Sequence, residues 1–337
     1  MGNVLSSIKP VLKISDMLWT AYDFVGDVDA APGEGAEGTD RPQWRSGRKG
    51  AMMSTHLSAT AMDILNTQLP PDTIALWWLG QSGFLLRSAH TTVYFDPFLS
   101  DHPARLIPPL FRAEEAPPAD LVLCTHEHWD HFDPHTLYGL AQASLQARFV
   151  VPLSMVEQVT ALGISPERVI GVQPDEELSL GEVKLFPVPA MHGLKAPPAV
   201  YDFGFVEHDD RPLYRYLGYV IEMAGVRVYS AGDTIVFDGL VERLRRLEAD
   251  IALLPINGRS YFREQLDIVG NLDEREAADL AAAAGMKLLV PTHYEMFASN
   301  QGRPGVLVDY VRAYHPTLTC YIPAHGRRFT YMKGDLS

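Results

Sequence analysis

Four side chains that commonly bind metal ions occur within a stretch of six residues: His126, His128, Asp130 and His131. Neutral imidazole is a good ligand for zinc and similar first-row metals, and a carboxylate adds negative charge to such a site. The stretch follows an apolar run at 121–124, which predicts a buried strand. On strand-like backbone, His126 and His128 point to the same side because side chains alternate with a period of two. We therefore predict that these two imidazoles bind one ion together, and that a following turn directs Asp130 and His131 toward a second ion.

Three further polar residues each follow a separate apolar run, and we interpret them as the remaining ligands: His192, Asp233 and His293. The runs before them, at 183–188, 226–230 and 288–290, each predict a strand. Binding residues commonly lie on loops that a rigid scaffold holds in place. Their shared position, just beyond a strand end, favours one common site over three separate structural roles.

Together these residues resemble the metallo-β-lactamase superfamily, whose marker is the His-x-His-x-Asp-His run found here at 126–131. The resemblance implies an α/β protein with a four-layer αββα sandwich and a site at one edge of its two sheets. It also implies a distribution of ligands: His126, His128 and His192 on a first ion, Asp130, His131 and His293 on a second, and Asp233 on both. We expect two divalent ions, with zinc first and manganese or iron as alternatives.

Such a site predicts a metal-dependent hydrolase that attacks its substrate with a metal-bound hydroxide. Coordination lowers the pKa of water toward ~7, so hydroxide forms at neutral pH, and the ions also polarise the substrate oxygen. We predict that Asp130 orients the nucleophile or passes a proton to the leaving group. His293, which the resemblance places on the same ion, is assigned to catalysis with it.

A narrower set of segments resembles the L-ascorbate-6-phosphate lactonase family, in the same order along the chain: 76–80 (LWWLG), 82–87 (SGFLLR), 125–133 (THEHWDHFD), 231–234 (AGDT) and 290–293 (VPTH). This resemblance implies that the substrate is an ester or lactone, and that a phosphorylated sugar acid is the kind of molecule bound. The chain differs from that family at His192, where a carboxylate is more usual, and in the length of the segment 257–271.

Two arginines follow the strand predicted at 251–254, on the presumed active edge. Guanidinium groups suit the recognition of oxyanions through paired hydrogen bonds, so Arg259 and Arg263 are predicted to bind a substrate phosphate. Asn257 in the same segment and His325 near the C-terminus are also assigned to substrate binding. A solvated loop for the arginines and a surface turn for His325 remain open alternatives.

Three other functions remain open. A phosphodiesterase of the phospholipase D type uses the same two-metal chemistry. A diiron oxidoreductase is also compatible with the superfamily, although such relatives usually have a carboxylate at the second motif position, where this chain has His128. A non-catalytic metal-binding protein is disfavoured by the complete set of ligands.

The composition excludes several classes of protein. With 337 residues and a hydrophobic fraction of 47%, the chain can form a sizeable core. A net charge of −14 argues against a nucleic-acid surface and leaves a small molecule, phosphorylated or not, as the expected partner. The two cysteines, Cys124 and Cys320, are too few for a disulfide framework and fit a reducing cytoplasm. No apolar run approaches the ~20 residues that cross a bilayer, so stable membrane insertion is not expected, and a homo-oligomer is compatible with the sequence.

The chain divides into two regions of different composition. Residues 1–52 are predicted to be a flexible N-terminal appendage, because 23–50 is rich in Gly, Pro and charge and offers little apolar surface to bury. Residues 53–337 are predicted to form one hydrolase domain, since no linker rich in Pro and Gly divides them. Within that domain, two successive β-rich halves are each followed by helices, which predicts two sheets packed face to face with helices outside.

Overall fold

The computed structural model describes residues 57–195, 200–208, 211–266 and 268–334. The predicted appendage, residues 1–52, lies outside the described residues. Within the described ranges, no helix is both long and apolar enough to cross a membrane. The cytoplasmic location stays a prediction.

The first sheet has seven strands: β1 (Thr73–Gly80), β2 (Gly83–Arg87), β3 (Thr92–Phe95), β4 (Leu121–Leu123), β5 (Arg148–Pro152), β6 (Val169–Val172) and β16 (Arg328–Met332). Their spatial order is β16-β1-β2-β3-β4-β5-β6. Pairing is antiparallel from β16 to β3 and parallel from β3 to β6. Because parallel neighbours end at the same edge of a sheet, the loops after β3 and β4 lie side by side.

The second sheet also has seven strands: β7 (Leu178–Leu180), β8 (Val183–Pro189), β11 (Leu217–Met223), β12 (Val226–Ser230), β13 (Ile251–Pro255), β14 (Leu288–Thr292) and β15 (Thr319–Cys320). Their spatial order is β15-β14-β13-β12-β11-β8-β7, with parallel pairing from β15 to β12 and antiparallel pairing from β12 to β7. The strands β8, β12, β13 and β14 therefore all end at one edge. A separate hairpin of β9 (Gly193–Lys195) and β10 (Val200–Asp202) follows β8 in the chain.

Helices flank both sheets: α1 (Ala59–Asn66), α2 (Pro134–Ala143), α3 (Val156–Ala161), α4 (Leu240–Leu247), α5 (Tyr261–Glu264), α6 (Glu274–Ala284) and α7 (Pro304–Tyr314). Helix α2 begins with Pro134 directly after the side-chain cap of Asp133, as expected where a proline has no amide to satisfy. Helix α6 begins with a capping box of Asp273 and Glu276 and ends at Gly285, whose left-handed backbone closes the last turn.

The side chains of β1 show that the first sheet is buried on both faces. Leu76 and Trp78 belong to the hydrophobic cluster that joins the two sheets, together with Tyr219 of β11. Trp77, between them in the chain, belongs to a second cluster with Leu137 of α2 and the buried side of α1. Helix α6 contacts β13 and β14 on the second sheet. The order helix, sheet, sheet, helix confirms the predicted αββα sandwich.

Candidate metal centre

Every predicted metal ligand lies in a loop at the edge where β4, β8, β12 and β14 end. The loop after β4 contributes His126, His128, Asp130 and His131, and the loops after the other three strands contribute His192, Asp233 and His293. The structure brings these side chains together in two adjacent groups. The placement that the sequence predicted for them, beyond the ends of buried strands, is therefore the one observed.

The first group contains three imidazoles and one carboxylate: His126, His128, His192 and Asp233. One ligand atom from each lies within 4.8 Å of the others. Nδ1 of His128 lies 2.9 Å from Nε2 of His126 and 3.2 Å from Nε2 of His192. Three ring nitrogens and a carboxylate are thus gathered around one point, as in a tetrahedral zinc site.

The second group contains Asp130, His131 and His293, again with ligand atoms within 4.8 Å of one another. Nε2 of His131 lies 3.2 Å from Nε2 of His293. Asp233 reaches this group as well, since its Oδ1 lies 2.8 Å from Nε2 of His293 and 3.3 Å from Nε2 of His131. Its other oxygen, Oδ2, lies 3.4 Å from Nε2 of His192 in the first group. One carboxylate therefore faces both groups.

Burial keeps the histidines of the first group in the neutral form that binds metals. It lowers the pKa of His126 and of His128 below the ordinary value, and it lowers the pKa of His192 to about 3. For His126, the neighbouring imidazoles lower the pKa further, because two positive charges so close would repel. Neutral rings whose nitrogens crowd one another offer several lone pairs to a cation. The donor set of this group fits a metal ion.

The second group is dominated by opposite charges. Burial opposes the charged form of His131, but the carboxylates of Asp233, Asp130 and Asp96 outweigh it and raise the pKa of His131 well above its ordinary value. Burial likewise opposes the charged form of Asp233, but His293 and His131 outweigh it and lower the pKa of Asp233 well below its ordinary value. The carboxylate of Asp233 is therefore ionised and available as an oxygen ligand, and a metal ion would replace the proton on His131.

Asp96 is a buried carboxylate that the sequence interpretation missed. Its Oδ1 accepts a hydrogen bond from the backbone N of Thr125 at 2.8 Å, and its Oδ2 accepts one from Thr125 Oγ1 at 2.7 Å. The same Oδ2 lies 2.8 Å from Nδ1 of His131. A carboxylate on Nδ1 orients the ring so that Nε2 faces the ligand group. The signal that identified the later ligands, a polar residue directly after an apolar strand, also applies to Asp96 after β3.

Gln81, in the turn between β1 and β2, is a second residue that the sequence interpretation missed. Its buried amide nitrogen donates to Oδ2 of Asp130 at 2.8 Å and lies 3.0 Å from Nδ1 of His293. Its backbone carbonyl also accepts from the backbone N of His293 at 3.3 Å. The residue therefore links two members of the second group. A glutamine in a turn has no pattern of its own, so no sequence signal pointed to it.

Gly232 shows how closely the loops of the two sheets approach each other. Its backbone is left-handed, with a φ of +59°, and a Cβ added there would lie 2.7 Å from Cβ of Thr125. A larger residue would therefore push apart the loops after β4 and β12. Because Asp233 follows directly, the glycine lets that carboxylate reach both groups.

We expect Gln81→Ala to weaken the second ligand group selectively. Loss of a side chain that positions metal ligands typically lowers metal affinity or activity by about 10- to 100-fold. Calorimetric metal titration should show one site near wild-type affinity and one weakened by about that factor. Gln173→Ala is the matched control, since Gln173 is also buried but accepts a hydrogen bond from Tyr214 N. Equal weakening of both sites would mean that Gln81 supports the whole centre instead.

Three of the residues assigned to substrate binding lie in the segment after β13, and both of its arginines already contact protein acceptors. Arg259 donates to the carboxylate of Glu276 through both terminal nitrogens, at 2.7 and 2.6 Å. Arg263 donates to the carbonyl of Asn257 and to Oδ1 of Asn300, each at 2.7 Å. The roles of Asn257, Arg259 and Arg263 toward a substrate stay predictions.

His325 lies beside the turn that carries Gln81. Its Nε2 is 3.2 Å from the carbonyl oxygen of Leu79, and its ring meets the ring of Trp78 edge-on at 5.8 Å. Burial lowers the pKa of His325, so the ring is neutral near pH 7. Its assignment to substrate binding also stays a prediction.

The open side of the centre is formed by residues 127–129, which are partly exposed, whereas His126 and His192 are buried. On one flank, Trp129 stacks on His102 with ring centroids 4.7 Å apart. On the other flank, the ring of Tyr216 lies 5.5 Å from that of His126 and 5.3 Å from that of His192. Aromatic side chains therefore lie beside the partly exposed residues 127–129.

Comparisons with known proteins agree with a metal-dependent site. A family model described as a beta-lactamase superfamily domain matches residues 91–294. A UPF0173 metal-dependent hydrolase of Opitutus terrae is 32% identical over 237 residues, which cover 69% of this chain and 88% of that protein. Another of the same description, from Thermococcus onnurineus, is 31% identical over 225 residues, covering 64% of this chain and 83% of that protein.

Solved structures share the fold at lower identity. Igni18, a metallo hydrolase from Ignicoccus hospitalis, has a TM-score of 0.59 and 21% identity, over 77% of this chain and 98% of that one. CmlA, a diiron β-hydroxylase from Streptomyces venezuelae, has a TM-score of 0.57 and 18% identity, over 78% of this chain and 55% of that one. At these identities the likeness shows the fold alone.

Proposed function

The chain belongs to the metallo-β-lactamase superfamily of metal-dependent hydrolases, and we propose on that basis that it opens an ester or lactone by metal-assisted hydrolysis. The observation that carries the proposal is the pair of facing ligand groups that share Asp233. Sites built for two ions support hydrolysis because both the attacking and the leaving oxygen can be held. The likeness to L-ascorbate-6-phosphate lactonases stays a prediction about the substrate.

We propose the ligand distribution that the resemblance implied: His126, His128 and His192 for a first ion, Asp130, His131 and His293 for a second, and Asp233 for both. Zinc is expected first, because imidazole nitrogen and carboxylate oxygen are its usual ligands in catalytic sites. Manganese and iron remain the alternatives. When bound, such ions lower the pKa of a coordinated water to about 7 and polarise the oxygen of the scissile group.

Asp130 is the proposed proton carrier. Burial opposes its ionised form, but the nearby His131 and His293 outweigh burial and lower the pKa of Asp130. An ionised carboxylate held by the Gln81 amide can take a proton from the attacking water and pass it to the leaving oxygen. His293 is the proposed catalytic partner, since it lies against both Gln81 and Asp233 and so fixes the position of the second group relative to Asp130.

We further propose that the substrate carries a phosphate that Arg259 or Arg263 contacts. A charged hydrogen bond is worth about 1.5–3 kcal/mol, so Arg259→Ala or Arg263→Ala should lower kcat/KM about ten- to a hundredfold on a phosphorylated lactone. An unphosphorylated lactone of the same ring should barely be affected. Steady-state kinetics on the two lactones decides this. Because Arg259→Ala also loses the bond to Glu276, the melting temperature of each variant is measured as a control for stability. Equal effects on both lactones, or none on either, would contradict the phosphate assignment.

A substrate panel tests the proposed function directly. Protein stripped of metal by a chelator and reloaded with zinc, manganese or iron is assayed on γ-lactones, p-nitrophenyl esters and bis-p-nitrophenyl phosphate. We expect metal-dependent turnover of the lactones or carboxylic esters. Turnover of the phosphodiester alone would favour the phosphodiesterase alternative. Visible iron absorption without hydrolysis would favour a diiron oxidoreductase, and bound metal without any turnover would favour a non-catalytic role.

A further inference from the structure

An ion pair stands at the rim of the open side of the centre. Glu127 lies between His126 and His128 in the chain, and its Oε1 contacts Nη2 of Arg215. The arginine comes from the segment before β11, so the pair joins the metal motif to a different part of the chain. Side-chain exposure is 41% for Arg215 and 18% for Glu127. The guanidinium is thus the more accessible partner.

The same arginine lies one aromatic ring away from the first ligand group. Its guanidinium carbon is 5.4 Å from the centroid of the Tyr216 ring. That ring in turn lies 5.3 Å from the ring of His192 and 6.0 Å from that of His128. A charged group at Arg215 is therefore within reach of a small molecule whose other end lies at the first group.

Arg215 differs from the other two candidate arginines in its remaining hydrogen-bond donors. Its Nη2 contacts Glu127, and neither its Nε nor its Nη1 donates to a residue that the structure describes. Arg259 and Arg263, by contrast, use both terminal nitrogens on protein acceptors. A planar guanidinium has five N–H donors, so one edge can hold a carboxylate while another binds a second oxyanion.

The surroundings of Arg215 favour its positively charged form. Burial opposes the charged form, but the carboxylate of Glu127 outweighs it and raises the pKa of Arg215 above its ordinary value. Asp202, which pairs with Lys195 on the β9–β10 hairpin, also raises the pKa of Arg215. In a chain with a net charge of −14, a cation at the rim gives an anionic molecule a local point of attraction.

We propose that Arg215 is a specificity-determining residue that binds an oxyanion, a carboxylate or a phosphate, at the end of the substrate remote from the scissile bond. The inference rests on the proposed hydrolase function and adds the substrate class to it: small esters or lactones that carry an anionic group. Glu127 competes with that group for the same guanidinium and tunes its affinity.

Three matched esters test the proposal: p-nitrophenyl butyrate, p-nitrophenyl hydrogen succinate and p-nitrophenyl 3-phosphonopropionate. Arg215→Met keeps an apolar stem and removes the charge. It should lower kcat/KM about 10- to 100-fold on the two anionic esters, mainly through KM, and change the neutral ester less than about twofold. The relative loss on succinate and phosphonopropionate tells which oxyanion the site prefers. Arg243→Met is the matched control, because it removes the charge of another arginine that pairs with a carboxylate, that of Asp175.

Glu127→Gln separates recognition from a purely structural ion pair. Recognition predicts that this variant lowers KM for the anionic esters, because the guanidinium loses its competitor. If the ion pair were purely structural, Glu127→Gln and Arg215→Met should both lose activity on all three esters. Loss of activity on the anionic esters in both variants, or equal loss on the neutral and the anionic esters, would overturn the proposal.

A binding measurement keeps the inference distinct from the hydrolase function on which it rests. Calorimetric titration of the zinc-loaded protein with succinate and with butyrate needs no turnover. We expect Arg215→Met to weaken succinate about 10-fold or more and to leave butyrate unchanged. Equal affinity of wild type and variant for succinate would refute the role of Arg215, even if the esters are hydrolysed. Selective weakening without hydrolysis of any ester would uphold it and refute the hydrolase proposal alone.

Discussion

His126→Ala and His128→Ala are each expected to lose metal and nearly all hydrolytic activity while the protein stays folded. The two ring nitrogens lie 2.9 Å apart in the first group, so one ion would bind both. An ion supplies several kcal/mol of stabilisation to the transition state, and each ~1.4 kcal/mol is a factor of ten in rate. The expected loss of kcat/KM is therefore about a thousandfold or more.

Elemental analysis of the purified variants measures the metal, and circular dichroism measures the fold. His128 is partly exposed, so its removal should barely disturb packing, whereas His126 is buried. If both variants lose metal to the same extent, the loss is due to the missing ligand and not to a disturbed fold. His315→Ala is the control, because His315 pairs with Asp279 outside both ligand groups. Wild-type metal content in both variants would refute the assignment of these two residues.

Strands with strong local signals were predicted closely. The strand before Asp233 is an example, since it was predicted at 226–230 and β12 has those bounds. The buried run at 121–124 likewise became β4, one residue shorter. In these cases a short, continuous apolar run is a local signal, so the sequence alone contains the information.

Strands that depend on distant partners were not predicted. β16 pairs with β1 in a register that sets Thr73 opposite Met332, so its existence depends on contacts across almost the whole described chain. The short edge strands β6, β7 and β15 and the β9–β10 hairpin have the same dependence on neighbours. Some of these segments contain strand-forming residues, as in β16 (RFTYM), but packing against neighbouring strands decides whether so short a segment forms a strand.

The site shows the same division. The positions of the seven proposed ligands were predicted because each is a metal-binding residue type at the end of an apolar strand. Gln81 and Arg215 were missed because their importance lies in what they touch: the second ligand group for Gln81, and Glu127 for Arg215. Contacts of that kind arise only when loops from the two sheets meet. Asp96 differs, since the strand-end signal was present and not used.

Asp233→Ala is expected to have the widest effect on metal content of any single carboxylate change. Its Oδ2 lies 3.4 Å from Nε2 of His192, and its Oδ1 lies 2.8 Å from Nε2 of His293, so each group loses an oxygen. The substitution also removes the negative charge that Asp233 places beside the histidines, and this charge would offset that of a bound cation. We expect less than one ion per chain and a loss of kcat/KM on the order of a thousandfold.

The comparison with Asp130→Ala makes this prediction specific, because Asp130 belongs to the second group alone. That variant should keep the first ion and lose the second, whereas Asp233→Ala should weaken both in a metal titration. Asp233→Asn should fall between them, since its amide keeps one neutral oxygen for one group. If Asp233→Ala and Asp130→Ala instead lose the same single ion, Asp233 serves only the second group, and the two groups are independent sites. A shared carboxylate is what would couple them, so the stoichiometry of these variants decides whether the centre works as one unit.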